Sequence, residues 1–218
     1  MREIKNRFHY VDHDIEGRER LFFDNAGGSF RLKSATEAFT CIDALPDCPE
    51  RIHAVALFLQ KVQATGTDDI RTIINAKGGS VYAALTASGA MFDMVRAVTK
   101  NIPGTNMVTS ILEHPSSFDA MSMYAKRTGK ELRVADSNPV TGGIDVDEIV
   151  GLVDQDTCLL SVMYASNISI AKIDIEAIVE RARAIKPDLY ILVDAVQHAP
   201  HGLIDLQKTP IDGINIAA

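Results

Sequence analysis

The segment LYILVDAVQHAPH, residues 189–201, is an apolar run that stops at a carboxylate, Asp194, with Gln197 and His198 close behind. A short run of this kind, apolar at successive positions, suits a strand covered on both faces, as the strands of parallel sheets are. In such sheets the ligand crevice lies beyond the carboxyl ends of the strands. A charged side chain at that position therefore marks the rim to inspect first.

The same punctuation recurs along the chain. Strands are predicted at residues 81–86, 107–112 (MVTSIL), 132–135, 158–164 (CLLSVMY), 189–193 and 214–217. Amphipathic helices are predicted at 34–44, 50–64, 67–75, from Ser88 onward, and at 115–128, 145–153 and 174–185. Strands alternating with helix-length stretches indicate an α/β fold, a mostly parallel sheet flanked by helices. Pro115 suits the opening turn of its helix, and Pro187 stops the last one. The run NPVTGG, residues 138–143, reads as a flexible, turn-rich connection.

Composition narrows the function. With 46% hydrophobic and 23% charged residues over 218, the chain can bury a real core. Lys and Arg number 22 against 29 Asp and Glu, a net charge of -7, which leaves no basic stripe for nucleic acid and no polybasic membrane patch. The first residues lack the apolar run of a signal peptide and no segment has the length of a bilayer span, so a cytoplasmic protein is expected. Cys41, Cys48 and Cys158 are odd in number and lack CxxC spacing, which points to packing thiols and to neither disulfides nor a metal site.

Several residues fall just after predicted strands. Ser88, Gly89 and Ala90 open a helix and form either an anion seat or a plain cap. His114 either lies flat on an aromatic ligand or is a polar loop residue, and Asn167 either bonds a ligand oxygen or serves turn chemistry. Asp194 needs a partner: the amides of a following turn, or the magnesium of a nucleotide hydrolase, although no GxxxxGK[ST] loop accompanies it. Neither Gly27-Gly28 nor Gly78-Gly79 builds a GxGxxG dinucleotide turn, and the GxSxG elbow of serine hydrolases is absent.

Taken in order, LFFDNAGGS (21–29), ASGAMFD (87–93), LEHPSS (112–117), the Asn167 loop, DAVQ (194–197) and PHGLIDLQ (200–207) resemble the class V aminotransferase and cysteine desulfurase family. These are fold type I enzymes dependent on pyridoxal 5'-phosphate (PLP). The resemblance implies that Gly89, Ala90 and Met91 hold the phosphate, that His114 stacks on the ring, and that Asn167 and Gln197 reach its phenolic oxygen. It implies that Asp194 keeps the ring nitrogen protonated, so that the ring accepts electrons, and that Asn25 and Ala26 lie near the substrate entrance. Asp194 and His114 are thereby the catalytic candidates. The implied protein is a homodimeric transferase or lyase acting on the α-amino group of a small-molecule amino acid.

The sequence departs from the family pattern in three places. Met91 stands where the family has threonine, Phe92 replaces an acid, and the sequence stops at Ala218, before the family's Schiff-base lysine. Lys172 and Lys208 lie off the motif and read as surface lysines. Residues 1–33 are expected to form an amino-terminal segment and 34–218 most of the PLP-binding large domain, the small carboxy-terminal domain being absent from the chain. The polypeptide by itself is expected to be inactive. A second reading is a non-catalytic scaffold of the same fold: Met91 and Phe92 favour it, and the intact Asp194 and Gln197 count against it.

Overall fold

A computed structural model describes residues 2–217. The chain divides into two compact units, Met1–Asp69 and Ile70–Ala218.

The first unit carries helix α1 (Arg2–Lys5), α2 (Lys33–Asp43) and most of α3 (Ala54–Ile73). A single helix α3 replaces the two predicted at 50–64 and 67–75. Gly66, in the middle, costs a helix only about 1 kcal/mol relative to alanine, which the residues around it outweigh. An antiparallel bridge joins Phe8 to Leu32, and the Arg20 guanidinium lies over the rings of Phe22 and Phe30, at 4.8 and 5.6 Å from their centres.

The second unit runs α4 (Ala87–Asn101), β1 (Asn106–Ser110), α5 (Pro115–Thr128), β2 (Glu131–Ala135), α6 (Val146–Gly151), β3 (Thr157–Met163), α7 (Ile175–Ile185), β4 (Tyr190–Asp194) and β5 (Gly213–Asn215). The five strands form one parallel sheet in the order β2-β1-β3-β4-β5. Side chains alternate across it with the period of a strand. Met107, Leu159 and Leu192 pack with Met91 and Val95 of α4 and Met121 and Tyr124 of α5. Val108, Leu160, Ile191 and Val193 pack with Ile149 of α6 and Ile175 and Ile178 of α7. The sheet is thus covered on both faces, which is why its strands are apolar at successive positions.

Helix ends follow their sequence signals. Pro115 opens α5, which ends on Gly129 in the left-handed conformation (φ 67°), and Asp174 caps α7 by accepting from the Ala177 amide at 3.1 Å. The 138–143 connection is bonded on itself: Asn138 Oδ1 accepts from the amides of Val140 and Thr141, and its own amide donates to Gly143. One predicted strand, 81–86, is not formed. Among the described residues this segment joins no ladder, and Tyr82 and Leu85 are exposed. A β-prone sequence becomes a strand only where a neighbour takes up its backbone groups.

Candidate functional site

The strand order reverses between β1 and β3: the chain leaves β1 for β2 on one side, then crosses back to β3 on the other. At such a switch point the connections diverge and leave a crevice at the carboxyl ends of the strands. The connection after β1 carries Glu113 and His114, the loop after β3 carries Asn167, and β4 ends in Asp194.

Asp194 is buried, opposite Met163 of β3 on one side and Asn215 of β5 on the other. Its Oδ1 accepts from the Val196 amide at 3.1 Å. Burial raises its carboxyl above the usual range, while the Val196 amide and the charge of His114 pull the other way. His114 itself is exposed and caps α5, its Nδ1 lying 3.1 Å from the Ser116 amide.

The start of α4 reaches the same rim, because Asn215 Nδ2 donates to the Ala87 carbonyl at 3.1 Å. The cap of that helix is Thr86, not Ser88: Thr86 Oγ1 accepts from the Gly89 amide at 3.0 Å and its carbonyl from the Ala90 amide at 3.1 Å. Met91 is fully buried and packs into the core, so its side chain offers nothing to a ligand. Asn167 sits in a turn held by Ser166 Oγ, which accepts from the amides of Ile168 and Ser169, and the Asn167 side-chain oxygen is buried without a partner. Gln197 is half-buried just past Asp194. Asn25 and Ala26 belong to the first unit, in an exposed turn where Asp24 Oδ1 accepts from the Gly27 amide at 3.2 Å.

Residues with no role assigned from sequence also occupy this rim. Glu113 is 6% exposed; its Oε1 accepts from the Ser110 hydroxyl at 2.6 Å and the Met163 amide at 3.0 Å, and its Oε2 is buried without a partner. Burial pushes this carboxyl up to about 8, with the Asp194 charge adding to the rise and the Ser110 hydroxyl and Met163 amide opposing it. Tyr164 and His198 stack face to face, centres 4.0 Å apart, with the Lys172 ammonium 5.9 Å from the tyrosine ring. The sequence signal for Glu113 was available: an acid wedged between an apolar strand and a helix-opening proline has little room to reach solvent.

The class-V aminotransferase family model matches residues 32–218. The chain belongs to that family. Among curated class-V relatives, a cysteine desulfurase of Cronobacter sakazakii is 32% identical over 227 residues, covering 97% of this chain and 53% of its own length. A probable cysteine desulfurase of Streptomyces coelicolor is 26% identical, with 96% and 52% covered. The chain thus spans about half the length of these class-V relatives. Among solved structures, a NifS-like protein superposes with a TM-score of 0.81 at 18% identity, over 90% of this chain and 55% of the other. The cysteine desulfurase CsdA of Escherichia coli gives 0.77 at 18%, over 99% and 53%. The α/β fold expected from the sequence, a parallel sheet flanked by helices, is the one observed, and it superposes on about half of the NifS-like chain.

Proposed function

We propose that this class-V chain contributes the cofactor-binding part, residues 34–218, of a PLP-dependent enzyme acting at the α-amino group of an amino acid. Cysteine is the first substrate to test, since the relatives are named cysteine desulfurases. The carrying observation is a buried carboxylate, Asp194, at the carboxyl end of β4 beside the switch point, with His114 on the connection that follows β1 at the same end of the sheet.

The residues suit the group. A carboxylate raised by burial gains from an opposite charge, and a protonated pyridine nitrogen is one. Asp194 would hold the proton at that nitrogen. Asn167, whose side-chain oxygen is buried without a partner, would together with Gln197 meet the phenolic oxygen, and the exposed His114 ring would cover one face. At the phosphate end, the first turn of α4 supplies amides and a favourable dipole, and a phosphate at Gly89 or Ala90 would take over from Thr86 the bonds these amides now make. Bound PLP supplies an electron sink for bond breaking at the amino acid's α-carbon.

The resemblance to the family puts the attaching lysine after the IDGINIAA segment and not at Lys172 or Lys208, the latter paired with Glu176 at 2.9 Å, and on that reading these 218 residues alone are inactive. We further place the enzyme in the cytoplasm as a homodimer. Among the described residues no helix is long and apolar enough to cross a membrane.

The test is the absorbance of the full-length protein titrated with PLP, then treated with borohydride and with a panel of amino acids including cysteine. A visible band abolished by borohydride and altered by the substrate is expected; a protein that leaves the spectrum of free PLP unchanged refutes the reading. The self-satisfied cap at Thr86 and the buried Met91 favour a second reading, a scaffold of the same fold without cofactor. That protein would give no such band.

A further inference from the structure

We infer that Glu113 is a positioning residue: its carboxyl clamps the turn that carries His114 to the backbone of β3, and so sets the imidazole against the strand end that bears Asp194. The inference rests on the proposed reading only in the use it gives to His114.

The geometry is a short relay. Glu113 directly precedes His114, which caps α5. Instead of pointing to water, its side chain folds back under the turn, where Oε1 takes both the Ser110 hydroxyl and the Met163 amide. Met163 is the β3 residue paired in register with Asp194. One oxygen thus joins the end of β1, the end of β3 and the turn between β1 and α5. Met163 is the last residue of β3, so its amide is held by this carboxyl at the point where the strand gives way to the Asn167 loop. An alanine at 113 leaves that amide and the Ser110 hydroxyl buried without an acceptor. No apolar side chain could replace this clamp, because the groups to be satisfied are donors.

The experiment reads His114 directly, by nitrogen–proton correlation of the histidine ring, assigned with His114→Gln, alongside the dissociation constant for PLP of the full-length protein. Glu113→Gln keeps an acceptor oxygen and is expected to leave the His114 ring signals in place and PLP affinity within about twofold. Glu113→Ala is expected to shift or broaden the His114 signals and weaken PLP roughly tenfold. Thr99→Val, which removes the buried hydroxyl contact with the Val95 carbonyl (2.7 Å) in α4, is expected to leave His114 unmoved and so controls for general loosening. Glu113→Asp, one methylene too short to keep both bonds, gives the same readout should the alanine variant fail to fold. His114 signals unchanged in both shortened variants overturn the inference. If the parent protein does not bind PLP at all, the proposed function fails, while the ring signals still decide the clamp.

Discussion

Asn215 Nδ2 donates to the Ala87 carbonyl at 3.1 Å, across 128 residues of chain, and thereby fastens the first turn of α4 to the strand beside Asp194. The contact links the helix start that would face a phosphate to the carboxylate that would face a ring nitrogen. Asn215 is 3% exposed and Ala87 half-buried, so the bond satisfies a buried amide at the edge of the core.

Asn215→Ala should therefore cost about 1–2 kcal/mol of stability, the usual consequence of removing one partner of a buried hydrogen bond. It should also weaken PLP binding several-fold through the displaced helix start. Urea denaturation and a PLP titration check the two parts; unchanged affinity alongside lost stability would leave Asn215 a purely structural residue.

Glu113→Gln should change how stability depends on pH. The folded carboxyl titrates near 8, against an ordinary value of 4.5, so the folded state holds the proton more tightly than the unfolded one. The stabilising contribution of that proton is complete below about pH 4.5 and is lost as pH rises through 8. The glutamine carries no such proton. Denaturation midpoints between pH 5 and 9 should show the variant gaining on the parent as pH rises, by about 2 kcal/mol or more at the upper end. A constant difference across the range would mean that Glu113 is not titrating there.

Much of this arrangement was legible in the residues. The α/β class, the α5 bounds at Pro115 and Thr128, and Asp194 as the end of its strand all follow from local signals that tertiary packing did not oppose. Residues 81–86 carry strand propensity, yet strand formation depends on a neighbour, which a propensity cannot supply. The split at Gly66 failed for the opposite reason, since a single glycine penalty is small beside a helix's own bonds. At the site, Asp194 and His114 stood out by position. Glu113 carried a local signal in its place before Pro115, but its partner Met163 lies 50 residues away, and Asn215 had no local signal at all, its partner lying 128 residues away. The Thr86 cap was misplaced by two residues, a shift that changes which amides are already engaged.

Ile170 occupies the left-handed region at φ 67°, in the exposed turn after Asn167. A β-branched side chain is strained there, by roughly 1–2 kcal/mol, and gains nothing from burial at 89% exposure. Ile170→Gly should stabilise the protein by about 1 kcal/mol after the added freedom of the unfolded chain is discounted. Chemical denaturation decides it. A loss of stability would show that the isoleucine side chain makes contacts that outweigh its backbone cost.

Asp194→Asn separates stability from function. The asparagine keeps an oxygen for the Val196 amide, so the turn after β4 retains its bond. What it removes is a buried acid whose folded value lies above its ordinary one, a group that contributes stability below the unfolded value and withdraws it as pH rises through the folded value. At neutral pH the cofactor-free variant should therefore be more stable than the parent, by about 1 kcal/mol. Its PLP affinity should fall by tenfold or more, because the amide cannot balance a charge on the ring nitrogen. Thermal melts with and without PLP provide both numbers. The two effects must run in opposite directions if Asp194 is kept for a cationic ligand. Were the variant less stable without cofactor and equally able to bind it, the carboxylate would be a turn cap, and the electrostatic basis of the proposed function would be gone.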